Sequence, residues 1–137
     1  MSPVDRYKPW FYAAAIYNAL WGALVVIWPH ALFDLLGIPR TNYPALFQSI
    51  GMIVGVYALG YWLIARDPAR FGPLVYIGLL GKIFGPIGFL IAALRGELPW
   101  SFGWINVMND LIWLPAFVGF AIAVGRAERE RGASRVG

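Results

Sequence analysis

Residues 73–94 read PLVYIGLLGKIFGPIGFLIAAL, an apolar run interrupted by one charge, Lys82. At a rise of ~1.5 Å per residue, about 20 residues in helical form cross the ~30 Å hydrocarbon core of a bilayer. This stretch is long enough and apolar enough, and it predicts a transmembrane helix. Three more runs of the same kind lie at about 10–29, 44–65 and 101–124. Short charged stretches separate them: Arg66-Asp67-Pro68-Ala69-Arg70 after the second and Arg95-Gly96-Glu97-Leu98-Pro99 after the third, with a charged tail over 125–137. The expectation is an all-α integral membrane four-helix bundle of up-down topology, a single transmembrane domain over residues 1–137.

Composition agrees. Hydrophobic residues make up 60% of the 137 and charged residues 13%, against roughly a quarter charged in soluble domains. The net charge of +4 suggests nucleic acid at first, but the basic residues sit where membrane topology requires them. Arg6, Lys8, Arg66, Arg70, Arg126, Arg129, Arg131 and Arg135 fall on one side, Arg40 and Arg95 on the other, and Lys82 completes the eleven. The excess of Lys and Arg on cytoplasmic loops then puts both termini in the cytoplasm, and no nucleic-acid partner is expected. The first run follows Arg6 and Lys8 as a signal peptide would. It ends, however, in Ile27-Trp28-Pro29-His30 without small residues for cleavage, and reads as a retained first span.

Trp10, Trp28, Tyr43, Trp62, Trp100 and Trp104 lie near the span ends, where an amphipathic ring anchors at the headgroup layer. The stretch between the first two spans, with Leu32, Phe33, Leu35, Leu36 and Ile38, is too short to cross and reads as an interfacial helical turn. Ala14 and Gly22 flank Asn18, Gly51 and Gly55 lie in span two, and Gly78, Gly81, Gly85 and Gly88 in span three. Small residues at these intervals predict close helix packing. Pro86 and Pro115 each remove a backbone donor, so kinks are expected just before them.

Two ionisable residues stand out inside the spans, Lys82 near the middle of the third and Asp110 short of the middle of the fourth. Either would cost several kcal/mol if left alone in hydrocarbon. Counted from the span ends their depths differ by ~5 Å, which a lysine stem can cover by snorkelling, so the two are able to pair. Asn106 precedes Asp110 by one turn, Asn109 adjoins it and Trp113 follows at helical spacing, forming an inward polar stripe. Asn18 and Gln48 are further hydrogen-bonding candidates, with the hydroxyls of Tyr12, Tyr17, Tyr57, Tyr61 and Tyr76. These residues mark either a ligand pocket between the third and fourth helices or an ion pair that only specifies helix register.

Several chemistries lack their residues. There is no cysteine for a disulfide, a nucleophilic thiolate or a thiolate metal centre, and the sole histidine, His30, lies at an interface. Ser49 and Ser101 have no histidine at matching depth for a catalytic triad. Gly81-x-x-x-Gly85 lacks the strand and lysine of a phosphate loop and reads as helix packing. No metal and no cofactor is identified, although a lipophilic ligand fits the pocket.

Four segments carry a resemblance: Tyr17-Asn18-Ala19-Leu20-Trp21-Gly22, Gln48-Ser49-Ile50-Gly51-Met52-Ile53-Val54-Gly55-Val56-Tyr57, Gly81-Lys82-Ile83-Phe84-Gly85-Pro86-Ile87-Gly88-Phe89 and Asn109-Asp110-Leu111-Ile112-Trp113. Together they are similar to a family of small bacterial four-helix membrane proteins without an established activity. The resemblance implies a bacterial inner-membrane location. Some members carry the label alkyl hydroperoxide reductase, which this cysteine-free sequence contradicts, because peroxiredoxin chemistry needs a thiolate. The leading expectation is a non-enzymatic protein, either an accessory subunit of a membrane complex or a binder of a lipophilic or amphipathic ligand. A small oligomeric transporter or channel using Lys82 and Asp110 comes next, and an enzyme acting on a lipid-soluble substrate last. The bilayer is the expected partner, with a homo-oligomer or larger complex also open.

Overall fold

A computed structural model describes residues 2–137 of the protein. The chain is 84% helix, and no strand occurs among the described residues. Four helices are long and apolar enough to cross a membrane: Asp5–Ile27, Pro44–Arg66, Pro68–Leu94 and Trp100–Val136. Their regular parts are α1 (Lys8–Ile27), α3 (Pro44–Arg66), α5 (Val75–Leu94) and α7 (Leu114–Val136). Between them lie three short helices, α2 (Ala31–Leu36), α4 (Pro68–Phe71) and α6 (Gly103–Asn106).

The third helix starts earlier than its hydropathy suggests. Pro68 occupies the first turn of α4, where a missing N–H costs nothing, and the Asp67 side chain accepts the Arg70 N–H at 3.1 Å. The charged turn thus caps a helix that runs on through Gly72–Leu74 into α5. At the other end of the chain the tail stays helical to Val136. Alanine, arginine and glutamate are good helix formers, and the exposed turns of α7 consist largely of them. The fourth helix, 37 residues with its leading turns, is roughly 55 Å long, well beyond a hydrocarbon core.

α2 supplies the short helical turn expected between the first two long helices. It stops at Gly37, whose φ of 65° places it in the left-handed region, with the Ile38 N–H reaching back to the Phe33 carbonyl at 3.1 Å. Beyond it, Arg40 donates to both oxygens of Asp34 at 2.8 and 2.7 Å, and this guanidinium holds the Asp34 carboxyl below the usual carboxylate range.

The closest helix contact is between α1 and α3. A Cβ on Gly22 would stand 2.6 Å from the Gly51 carbonyl oxygen and 3.1 Å from the Gly55 Cα, and one on Gly51 would meet Val25 at 2.9 Å. Backbones approach this closely only where side chains are missing. Two amides tie the same pair of helices: Asn18 Nδ2 donates to the Val54 carbonyl at 3.2 Å, and Gln48 Nε2 to the Val26 carbonyl at 2.8 Å.

Aromatic clusters close the two ends of the interior. At the end nearer the chain termini, Phe11, Tyr61, Phe117 and Phe120 are buried, with ring centroids 4.7 Å apart for Phe11–Phe117 and 5.1 Å for Tyr61–Phe117. At the opposite end Trp21, Val25, Phe33 and Phe47 pack together, with Phe102 and Ile105 against them. Such ring pairs each contribute about 0.5–1.5 kcal/mol beyond the area they bury.

Candidate functional site

The fourth helix does not run straight past its polar residues. Residues Val107–Leu111 wind as a π-helix, the Ile112 N–H bonding the Val107 carbonyl at 3.1 Å. The Trp113 N–H then turns to the Asp110 carbonyl, also at 3.1 Å. A regular helix would have paired those two donors with the carbonyls of Met108 and Asn109. Side chains take up the skipped carbonyls: Trp113 Nε1 donates to Met108 at 2.9 Å, and Lys82 Nζ donates to Asn109 at 2.6 Å. Pro115 sits in the first turn of α7, past the irregularity. The disturbance expected just before it is a π turn, a form common at functional sites.

Lys82 is 4% exposed. Beyond the Asn109 carbonyl, its ammonium lies 5.5 Å from the Tyr61 ring centroid and 5.1 Å from that of Phe117, within the range where aromatic faces attract a cation. It forms no ion pair with Asp110. The ion pairs among the described residues are Lys8–Asp5 and Arg40–Asp34, both at the surface. The pairing that the depths allow is not made because the π turn offers the lysine a backbone oxygen instead. The Asp110 carboxylate lies against α5 beyond Lys82, its Oδ2 2.6 Å from the position a Cβ would take on Gly85. Asn106 Oδ1 is 3.7 Å from that same position.

Both residues nevertheless face one cavity of about 350 Å³. Its polar lining includes Asn18 of α1, Lys82 of α5, Asn106 of α6, and Asn109 and Asp110 of the π turn. α3 supplies more of the wall than any other helix, with Phe47, Ile50, Ile53, Val54, Tyr57 and Tyr61. The pocket expected between the third and fourth helices is therefore bounded by all four. Tyr17 stands behind it, its hydroxyl donating to Asn109 Oδ1 at 2.5 Å, so Asn109 is held from two sides.

Two candidates lie elsewhere. Gln48 is committed to the end of α1 through the Val26 carbonyl. Trp113 is turned from the cavity toward Tyr17 and Trp10, with centroids at 5.6 and 6.5 Å. The π turn explains this rotation, since one extra residue in the turn moves position 113 off the face that Asn106 and Asp110 share. Of the tyrosines, Tyr57 and Tyr61 line the cavity while Tyr12 and Tyr76 are exposed.

Sequence reasoning missed the apolar wall from α3 and read the glycines of the third helix as backbone packing. Gly78 and Gly81 give room to the Tyr61 and Tyr57 rings, whose atoms come within 2.7 and 3.4 Å of where a Cβ would lie. The available signal was the alignment of Gly78, Gly81, Lys82 and Gly85 on one face at helical spacing. With a single carboxylate and no histidine at the cavity, its donors suit hydrogen bonding to a ligand head rather than metal coordination. No family model, curated protein or solved structure matches the chain.

Proposed function

We propose that the protein is an N-in, C-in four-helix bundle of a bacterial inner membrane that binds a lipophilic or amphipathic small molecule in the cavity beside Lys82 and Asp110. The observation that carries this reading is the unpartnered carboxylate of Asp110. The Asp110 carboxylate accepts no hydrogen bond and has no ion-pair partner among the described residues, yet the described side-chain atoms that are both sealed and unpartnered do not include its oxygens. A group that only locked helix register would be expected to meet its partner directly. The cavity volume falls at the lower end of the ~300–1,000 Å³ typical of small-molecule sites, and its mix of apolar walls with a few convergent polar groups suits an amphipathic guest.

Extraction and mass spectrometry of the purified chain test the binding reading. A small lipophile should accompany the wild type and be lost from Gly81→Leu, where a side chain enters the cavity mouth. Wild-type protein that carries no such molecule, and takes none up from a lipid extract, removes the proposal. Orientation is tested separately by single cysteines placed at Ser2, Arg95 and Gly137 in a sequence that has none of its own. Intact cells should shield the first and last from a membrane-impermeant maleimide and leave the middle one reactive.

A further inference from the structure

We infer that the ligand's head is an uncharged hydroxyl, an alcohol or a phenol, on an apolar body that enters sideways from the hydrocarbon over Gly81. This rests on the binding reading above and adds the chemistry of the head and its route.

Charge comes first. Lys82 and Asp110 are the ionisable base and acid of the cavity lining, and as ammonium and carboxylate their charges sum to zero. An ionic head would leave one net charge in a low-dielectric interior, where uncompensated charge is strongly disfavoured. An ammonium is repelled by the buried Lys82 and a carboxylate by the half-buried Asp110. A neutral head avoids both penalties.

Donors and acceptors then narrow the choice. The Asp110 carboxylate and Asn106 Oδ1 converge on the notch at Gly85, and an ionised carboxylate only accepts. The head must therefore donate. Lys82 has three N–H groups and spends one on the Asn109 carbonyl. The head must therefore also be able to accept. A hydroxyl does both, whereas a quinone carbonyl, an ester or an ether cannot donate. The route follows from what is missing: α5 offers no side chain at Gly81, and the α3 wall of the same cavity includes Ile50 and Ile53, which are 48% and 58% exposed. Bare backbone and exposed isoleucines make an apolar doorway, and the walls behind it are Trp21, Phe47 and Phe102.

Calorimetric titration of the detergent-solubilised full chain at pH 7 with 1-octanol, octylamine and octanoate isolates the head group, since the tail is held constant. Octanol should bind at least about tenfold more tightly than either ion, and Gly81→Leu should abolish its binding. Replacing one member of the charged pair should switch the preference. Asp110→Asn leaves a net positive cavity and should favour octanoate, and Lys82→Met leaves a net negative one and should favour octylamine. Either switch suffices if the other variant does not fold, and a purely structural pair produces neither. Wild-type protein that prefers an ion, or variants whose preference is unchanged, overturns the hydroxyl assignment and leaves the binding reading standing. Absence of binding by all three probes, with Gly81→Leu indistinguishable from wild type, overturns both.

Discussion

Gly22 on α1 and Gly78 on α5 both face α3, and a side chain on either would collide with it, but with different parts of it. At Gly22 the obstacle is backbone, the Gly51 carbonyl oxygen at 2.6 Å. At Gly78 it is the ring of Tyr61, with Cε1 at 2.7 Å and the hydroxyl at 2.9 Å. The first glycine brings two helices together, and the second leaves space between two helices for an aromatic and polar side chain. One residue type thus builds both the tightest seam of the molecule and its cavity. The cavity lies where α3 and α5 are kept apart.

The largest expected effect breaks the seam. In Gly22→Leu the side chain has only backbone to push against, so α1 and α3 must separate. Overpacking of this kind costs typically 1–3 kcal/mol or more, and the displacement would also stretch the Asn18 and Gln48 hydrogen bonds. Thermal unfolding in detergent should show a drop of that size or loss of the folded chain. Gly88→Ala is the matched control, because nothing lies within 4 Å of its added Cβ. It should be neutral, or stabilising by about 0.5–1 kcal/mol through helix propensity. Equal effects of the two substitutions would break the comparison.

Next in size is the difference between the two charged residues of the cavity. Lys82→Met leaves the Asn109 carbonyl without the donor that replaces its helical partner, and an orphaned buried acceptor costs about 1–3 kcal/mol. Asp110→Asn removes no hydrogen bond present among the described residues, so it should destabilise less than Lys82→Met. Unfolding of both single variants and the double one measures this directly. A double variant restored to wild-type stability would indicate an ion pair after all.

How far the sequence reaches can be read from these same residues. Hydropathy located all four long helices, because a run such as 73–94 has a composition that only a long apolar helix accommodates. It also singled out Lys82 and Asp110, since two charges among so many apolar residues are costly wherever the chain places them. The joining of Asn18, Asn106 and Asn109 to one cavity follows from the same search for polar residues inside apolar runs. The π turn was not legible. It depends on a trade between backbone and side-chain hydrogen bonds around Met108 and Asn109, and nothing in residue type marks which donor a carbonyl will find. Ideal helical spacing consequently placed Trp113 on the polar face, one step out of register. The glycines were ambiguous for a similar reason, since spacing identifies a bare face and only the partner decides whether backbone or side chain fills it.

The smallest effect belongs to the loop over α2, away from both helix contacts. Arg40 keeps the Asp34 carboxyl below its usual range through two hydrogen bonds. A carboxylate whose folded pKa is depressed contributes stability that is fully present above its unfolded value of ~3.9 and is lost as pH falls through the folded value. The advantage of wild type over Arg40→Ala should therefore be seen at neutral pH and should vanish in acid below that lower value. Both partners are largely exposed, so the advantage should be slight and should also shrink at 1 M salt, where the screening length is ~3 Å. Melting curves of the two chains at neutral and acid pH, each with and without salt, provide the check. A difference that survives both acid and salt would mean that Arg40 acts by packing its stem over α2. Arg40→Ala should leave ligand uptake unchanged, which separates this loop from the α3–α5 cavity.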